Sequence, residues 1–305
     1  MSDKSNADTV ELPAAQTIES GMIWPDTGSS QVQADVAATS HQGLVRSNNE
    51  DHYQVVRFGR AMETLLTNLP GDLLPAHAEE RGYGLVVADG MGGKAGGGTA
   101  SRMAITRLLY LALSTSDWIL STGERDMQTV LERMAERFRN IDKWLRSQGK
   151  GDPRLEGMGT TMTVACSLGT TLLIGHIGDS RAYLCREGAL HQLTRDHTLA
   201  QALLDLGRLT PEQAARHSGR HVLTHSLGAG ESTSEGDFQR ALIADGDQLL
   251  LCSDGLTEMV DTATIATTLT SAPSAAAACD QLVTAALKNG GRDNVTVALA
   301  RYRIG

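Results

Sequence analysis

GLVVADGMGG, residues 84–93, decides the fold of this 305-residue chain. An unbroken apolar run, Leu85–Ala88, leads into Asp89 and then Gly90. Such a run, closed by glycine, reads as a buried strand ending in a sharp turn. A carboxylate at that point, followed by small residues, can meet a metal ion without steric obstruction. Gly90 allows close backbone approach, so its carbonyl is a second candidate ligand. LLLCSDGLTEM (249–259) repeats the pattern, with Asp254 before Gly255. RSNNEDHY (46–53) and GGRDNVTVAL (290–299) add Glu50 and Asp293. More than a hundred residues separate Asp89 from Asp254, so only folding can unite them. Four carboxylates at one place are costly unless cations share it. The pattern predicts two or more hard divalent ions.

Each segment also has an ordinary reading: an Asp-Gly turn, a surface ion pair of Arg46 with Glu50 or Asp51, a cap at Asp293. Their joint occurrence in this order does not. Glu258, and Glu156 or Asp152 ahead of GMGTT, are candidates for a third cation. Asp179 in GDSRAY is expected to sit in a hairpin turn with a structural partner in Arg181. The nine histidines show no zinc spacing, and oxygen ligands favour magnesium or manganese. GMGGKAGGG lacks the G-K-[ST] of a nucleotide-binding loop, and DGDQ (245–248) lacks the downstream Thr of an aspartyl-phosphate motif.

Bulk composition narrows the class. Net charge is −9 and hydrophobic content 41%. That balance argues against nucleic acid or an anionic membrane surface as partner. No apolar run approaches the ~20 residues of a membrane span. The polar start MSDKSNADTVELPAAQ lacks a secretory pattern, which predicts a cytoplasmic protein. Cys166, Cys185, Cys252 and Cys279 show no C-x-x-C spacing and read as reduced residues; none opens a C-x5-R phosphatase loop.

Residues 1–33 are expected to be a mobile tail, and 34–305 a single domain. Strands are predicted at 34–40, 52–58, 82–89, 161–168, 171–178, 181–188, 237–243, 247–254 and 294–302. Short LGT, GDS and DGD turns predict hairpins, hence antiparallel sheets. Helices are predicted at 97–115, 126–147 and 274–288, the last stopping at NGG. Two sheets covered by helix pairs form an α+β, four-layer sandwich.

Together these segments resemble the metal-dependent protein serine/threonine phosphatases of type 2C, in their bacterial branch. The resemblance rests on GLVRSNNEDHY, VVADGMGG, GMGTTMTVACS, HIGDSRAYL, LTRDHTLAQALLDLGRLT, VLTHSLG, LCSDGL and GGRDNVTV, spanning about residues 35 to 303. It implies an αββα sandwich with a dinuclear cleft holding two Mn2+ or Mg2+ ions, with a place for a third. Asp89 would bridge both ions; Asp254 and Asp293 would complete one, Glu50 and the Gly90 carbonyl the other. Asp51 would support the ligands from behind, Arg46 would hold the phosphate, and 197–222 would form a flap beside the cleft. The implied reaction is hydrolysis of phosphoserine or phosphothreonine by a metal-activated water. The implied partners are a phosphorylated protein, a serine/threonine kinase or its target, met by a monomer. Met91 stands where a histidine often follows the bridging Asp-Gly, and methionine cannot donate a proton.

Residues 59–81 are longer than a hairpin needs. They are expected to lie remote from the chemistry, as a short helix-loop or a docking element. A catalytically silent scaffold of the same fold that only binds phosphorylated partners, a two-metal nuclease and a calcineurin-like phosphatase compete with the leading reading. The four carboxylates, the acidic balance and the missing Gly-Asn-His-Glu ligands disfavour them in turn.

Overall fold

The computed structural model describes residues 32–69, 77–92, 96–114, 124–230 and 235–305. In chain order the elements are β1 (Val32–His41), β2 (Asp51–Glu63), β3 (His77–Met91), α1 (Gly96–Ser114), α2 (Glu124–Gly151), β4 (Gly159–Thr160), β5 (Met162–Leu168) and β6 (Thr171–Ile177). There follow β7 (Arg181–Arg186), β8 (Ala189–Gln192), α3 (Leu199–Asp205), α4 (Pro211–Arg216), β9 (Asp237–Leu242) and β10 (Gln248–Cys252). The chain closes with α5 (Asp254–Thr257), α6 (Thr262–Ser271), α7 (Ala275–Lys288) and β11 (Val295–Ile304). The tail expected over 1–33 lies outside the described residues, except Val32 and Gln33, which already belong to β1.

One sheet runs β1-β11-β10-β7-β8 and the other β2-β3-β5-β6-β9, with β4 beside β3. The described strand pairings are antiparallel. The near-continuous apolar runs are explained by burial on both faces. In β10, Leu249 and Leu251 point into the seam between the sheets, while Leu250 and Cys252 face α6 and α7. In β3, Leu85 and Val87 enter the same seam, while Val86 and Ala88 meet α1 and α2. Three apolar layers therefore separate four structural layers, as an αββα sandwich requires. Burying a leucine this fully is worth about 2 kcal/mol. Cys166 is partly buried and the other three cysteines are buried; all four are free thiols.

Helix ends follow local chemistry. The Ser274 hydroxyl accepts from the Ala277 amide and starts α7. Asp261 does the same for α6 through the Thr264 amide. α7 ends where Gly290 and Gly291 take positive φ, 122° and 48°.

Two expected hairpins prove to be crossovers. LGT does join β5 to β6 within one sheet, but GDS links β6 to β7 and DGD links β9 to β10, each pair in opposite sheets. A short turn reverses the chain equally well into the facing sheet, ~10 Å away. The helix-loop expected over 59–81 is corrected at its flanks, while residues 70–76 lie outside the described residues. β2 and β3 stay paired as far as Glu63 opposite His77, so the flanks of this segment extend the hairpin. Among the described residues, no helix is long and apolar enough to cross a membrane.

Candidate metal centre

All four sequence-predicted carboxylates reach one cleft of about 1160 Å³, at the edge where strands of both sheets end. Glu50 precedes β2 and Asp89 lies near the end of β3 in one sheet. Asp254 follows β10 and Asp293 precedes β11 in the other.

The backbone around these residues is tightly fixed. The Asp89 amide donates to Thr161 Oγ1 at 2.9 Å, and its carbonyl accepts from the Thr161 amide at 2.8 Å and Thr160 Oγ1 at 2.8 Å. The Gly90 amide donates to the Glu50 carbonyl at 3.2 Å. That carbonyl also accepts from Ser101 Oγ at 2.6 Å. A Cβ on Gly90 would drive into the Gly97 carbonyl oxygen, and one on Gly255 into that of Asn294. The glycines after Asp89 and Asp254 are thus a steric necessity. Asn294 ties the halves together: its Oδ1 accepts from the Glu50 amide, and its Nδ2 donates to the carbonyls of Gln42 and Asn48, all at 2.8 Å.

Electrostatics set this cleft apart. Burial, then the neighbouring carboxylates of Asp51, Asp254, Asp179 and Asp293, holds the Asp89 carboxyl well above the usual carboxylate range. Asp254 is pushed up to about 6 by burial and by Asp293. Asp51, opposite Asp89 across β2 and β3, is raised to about 7, chiefly by burial. Its Oδ2 accepts from Ser253 Oγ at 2.6 Å. Asp254 Oδ1 and Asp51 Oδ1 are buried without a hydrogen-bond partner. Buried, mutually repelling carboxylates with unpartnered oxygens match a hard-cation donor set.

The side chains line the cleft without closing on one another. Among the described residues, no group of three His, Cys, Asp or Glu side chains is tight enough to hold an ion as it stands. Asp293 Oδ2 is instead met by Arg46 Nη2 at 2.5 Å, and Asp254 Oδ2 by His221 Nδ1 at 3.9 Å.

The third-cation candidates separate. Glu258 lines the cleft, near His221 Nε2 at 3.7 Å and Arg220 Nη2 at 3.5 Å. Asp152 and Glu156 do not line it. Asp152 caps the short 3-10 turn Pro153–Leu155 and pairs with Arg154 at 2.7 Å, and Glu156 is exposed. The local helical turn spends the Asp152 carboxylate before it can reach the cleft.

Asp179 also departs from expectation. It lines the cleft, and burial followed by Asp254 raises it to about 8. Arg181 forks onto Asp196 instead, at 2.9 and 2.6 Å. The missed signal was the HIGDS segment itself: an apolar strand ending at Gly-Asp, a variant of the pattern at Asp89.

The 197–222 excursion forms α3, α4 and a 3-10 turn, Ser218–His221. The Leu199 amide donates to the Val222 carbonyl at 2.8 Å and pins its two ends together. Arg220 and His221 at its far end line the cleft.

The family model for protein phosphatase 2C matches residues 71–295. The chain belongs to the protein phosphatase 2C family. As a member, it is 36% identical over 264 residues to the serine/threonine protein phosphatase PstP of Mycobacterium tuberculosis, covering 87% of this chain and 44% of PstP. It therefore spans less than half the length of that relative. It is 34% identical over 267 residues to the protein phosphatase PhpP of Streptococcus pneumoniae, covering 87% and 96% of the two chains. A solved structure of the PstP catalytic domain in complex with two manganese ions aligns at TM-score 0.68 and 34% identity, covering 89% of this chain and 99% of that one. A second PstP structure, from Mycobacterium tuberculosis, gives TM-score 0.70 at 36% identity, with 88% and 98% covered.

Proposed function

We propose that this chain hydrolyses phosphoserine and phosphothreonine in proteins, with two divalent cations held in the carboxylate cleft. The observation that carries the reading is the meeting of Glu50, Asp89, Asp254 and Asp293, contributed by both sheets, at one edge of the sandwich. In this reading Asp89, Asp254, Asp293, Glu50 and the Gly90 carbonyl would be the groups that hold the ions. Glu258 with Asp254 is the place for a third. The bound cations, manganese or magnesium, supply Lewis acidity that lowers the pKa of water and offsets phosphoryl charge.

The chain's own residues set the geometry. Asp51 backs the Asp89 strand and is oriented by Ser253. The planar fork of Arg46 suits two phosphoryl oxygens, and it lies beside Asp293, where that phosphate would stand. Met91 lines the cleft and donates no proton, so the leaving oxygen takes its proton from water or from another group of the cleft, which His221 and Asp179 also line. Leu44 and Val45, 66% and 69% exposed, leave the rim beside Arg46 open to a protein surface. The substrates in this reading are phosphorylated proteins, among them serine/threonine kinases or their targets.

Turnover of a phosphothreonine peptide with manganese, magnesium or a chelator tests this. Activity should require the metal and fall on the order of 100-fold or more in Asp89→Asn and Asp254→Asn. Variants as active as the parent would end the assignment.

A further inference from the structure

Three arginines line the cleft, and only one of them is uncommitted. Arg46 is held by Asp293 and Arg220 by Glu258. Arg292 is exposed, and among the described residues nothing hydrogen-bonds or ion-pairs with it. Its placement is firm even though its side chain is unpartnered. The Leu44 amide donates to the Gly291 carbonyl at 2.7 Å, and Gly43 packs against the Asp293 carbonyl so closely that a Cβ there would clash. The loop bearing Arg292 is thus locked to the loop bearing Arg46.

We propose that Arg292 is an anion subsite that selects phosphorylated residues flanked, within about three positions, by a carboxylate or a second phosphate. This rests on the phosphatase reading and names its substrate class. Arg292 lines the same cleft as Arg46 and the four carboxylates, and an extended peptide advances ~3.3–3.6 Å per residue away from the scissile phosphate, so a rim cation meets positions a few residues along. The chemistry fits as well, because a free guanidinium presents a planar fork to either anion. The chain as a whole carries a net charge of −9, which repels acidic peptides. Selection for them therefore needs a local cation at the rim, and Arg292 supplies it.

The test uses the full chain with manganese and three phosphothreonine peptides, identical except for alanine, glutamate or a second phosphothreonine at the neighbouring positions. The parent should prefer both acidic peptides by roughly fivefold in kcat/KM, the scale of a partly exposed ion pair. The preference should lie in KM and weaken with salt. Arg292→Gln should bring the ratio close to one, and Arg292→Lys should keep part of it. A parent that turns over all three peptides equally, or an Arg292→Gln variant that keeps the parent's ratio, overturns the subsite while leaving the phosphatase reading intact. A parent that turns over none of them overturns both. A preference for the doubly phosphorylated peptide alone assigns the subsite to phosphate, and a preference for both assigns it to anions generally.

Discussion

A methyl group on Gly90 would meet the Gly97 carbonyl and crowd that of Glu50, 2.9 Å away. Gly90→Ala should therefore destabilise the fold by about 1–3 kcal/mol, read from the urea midpoint, and cut turnover more than tenfold. An unchanged midpoint would show that the Gly90–Gly97 approach is looser than described. His176 makes a separate demand. It is buried, its Nδ1 lies 2.9 Å from Thr163 Oγ1, and its Nε2 meets the Arg195 carbonyl at 3.1 Å. Burial, and then the His197 ring, lower it to about 4. The unfolded chain takes up this proton near pH 6.5 and the folded chain only near 4. Stability is therefore fully present above 6.5 and lost as pH falls through that window. Between pH 7 and 5 the loss should be about 2 kcal/mol greater in the parent than in His176→Gln. Parallel melting curves would refute this. At this scale Asp89 and Asp254 were readable, because an apolar strand running into Asp-Gly is a local signal, and Asp293 because it stands between a Gly-Gly turn and an apolar strand. Asp179 was misread because the fork of its sequence neighbour Arg181 bonds Asp196 and leaves the Asp179 carboxylate to the cleft.

Strands and helices were legible wherever their hydrophobic pattern was strong. β10, β11, α2 and α7 lie close to their predicted spans, and β3 contains its predicted span but begins five residues earlier, at His77. β8 and α6 were missed. β8 has four residues at a sheet edge, and α6 reads TATIATTLTS, a β-branched run of modest helix propensity. Its helix depends on the Asp261 cap and on burying Ile265 and Leu269. The two misassigned hairpins have a different cause: a turn encodes reversal, whereas the choice of partner strand is tertiary. The β2–β3 arm belongs here too. From Asp51 to Glu63 the strand advances ~40 Å, which carries the arm far from the cleft. Replacing residues 61–79 with Asn-Gly should leave turnover of a small aryl phosphate within about threefold. Complete loss in a folded variant would tie the arm to the chemistry.

At the level of the whole molecule, cations and the fold should stabilise each other. Divalent ions bound only to the folded state at a hundred times their dissociation constant add ~2.7 kcal/mol. Chelation should accordingly lower the melting temperature on the order of 5 °C, and Asp89→Asn should abolish that difference. A chelator-insensitive parent would argue against a resident metal. The four-layer architecture follows from double-sided burial, which the unbroken apolar runs announce. The nearness of its edges to one another does not follow from any single run.

The carboxylates straddle the seam, two anchored in each sheet, so their spacing reports how well the sheets are aligned. A cavity at Leu85 or Leu251, deep in the seam and remote from any ligand, would let the two sheets drift slightly apart. The grip on cations would then slacken before the fold itself gave way. Ion affinity in this chain is thus a gauge of core integrity.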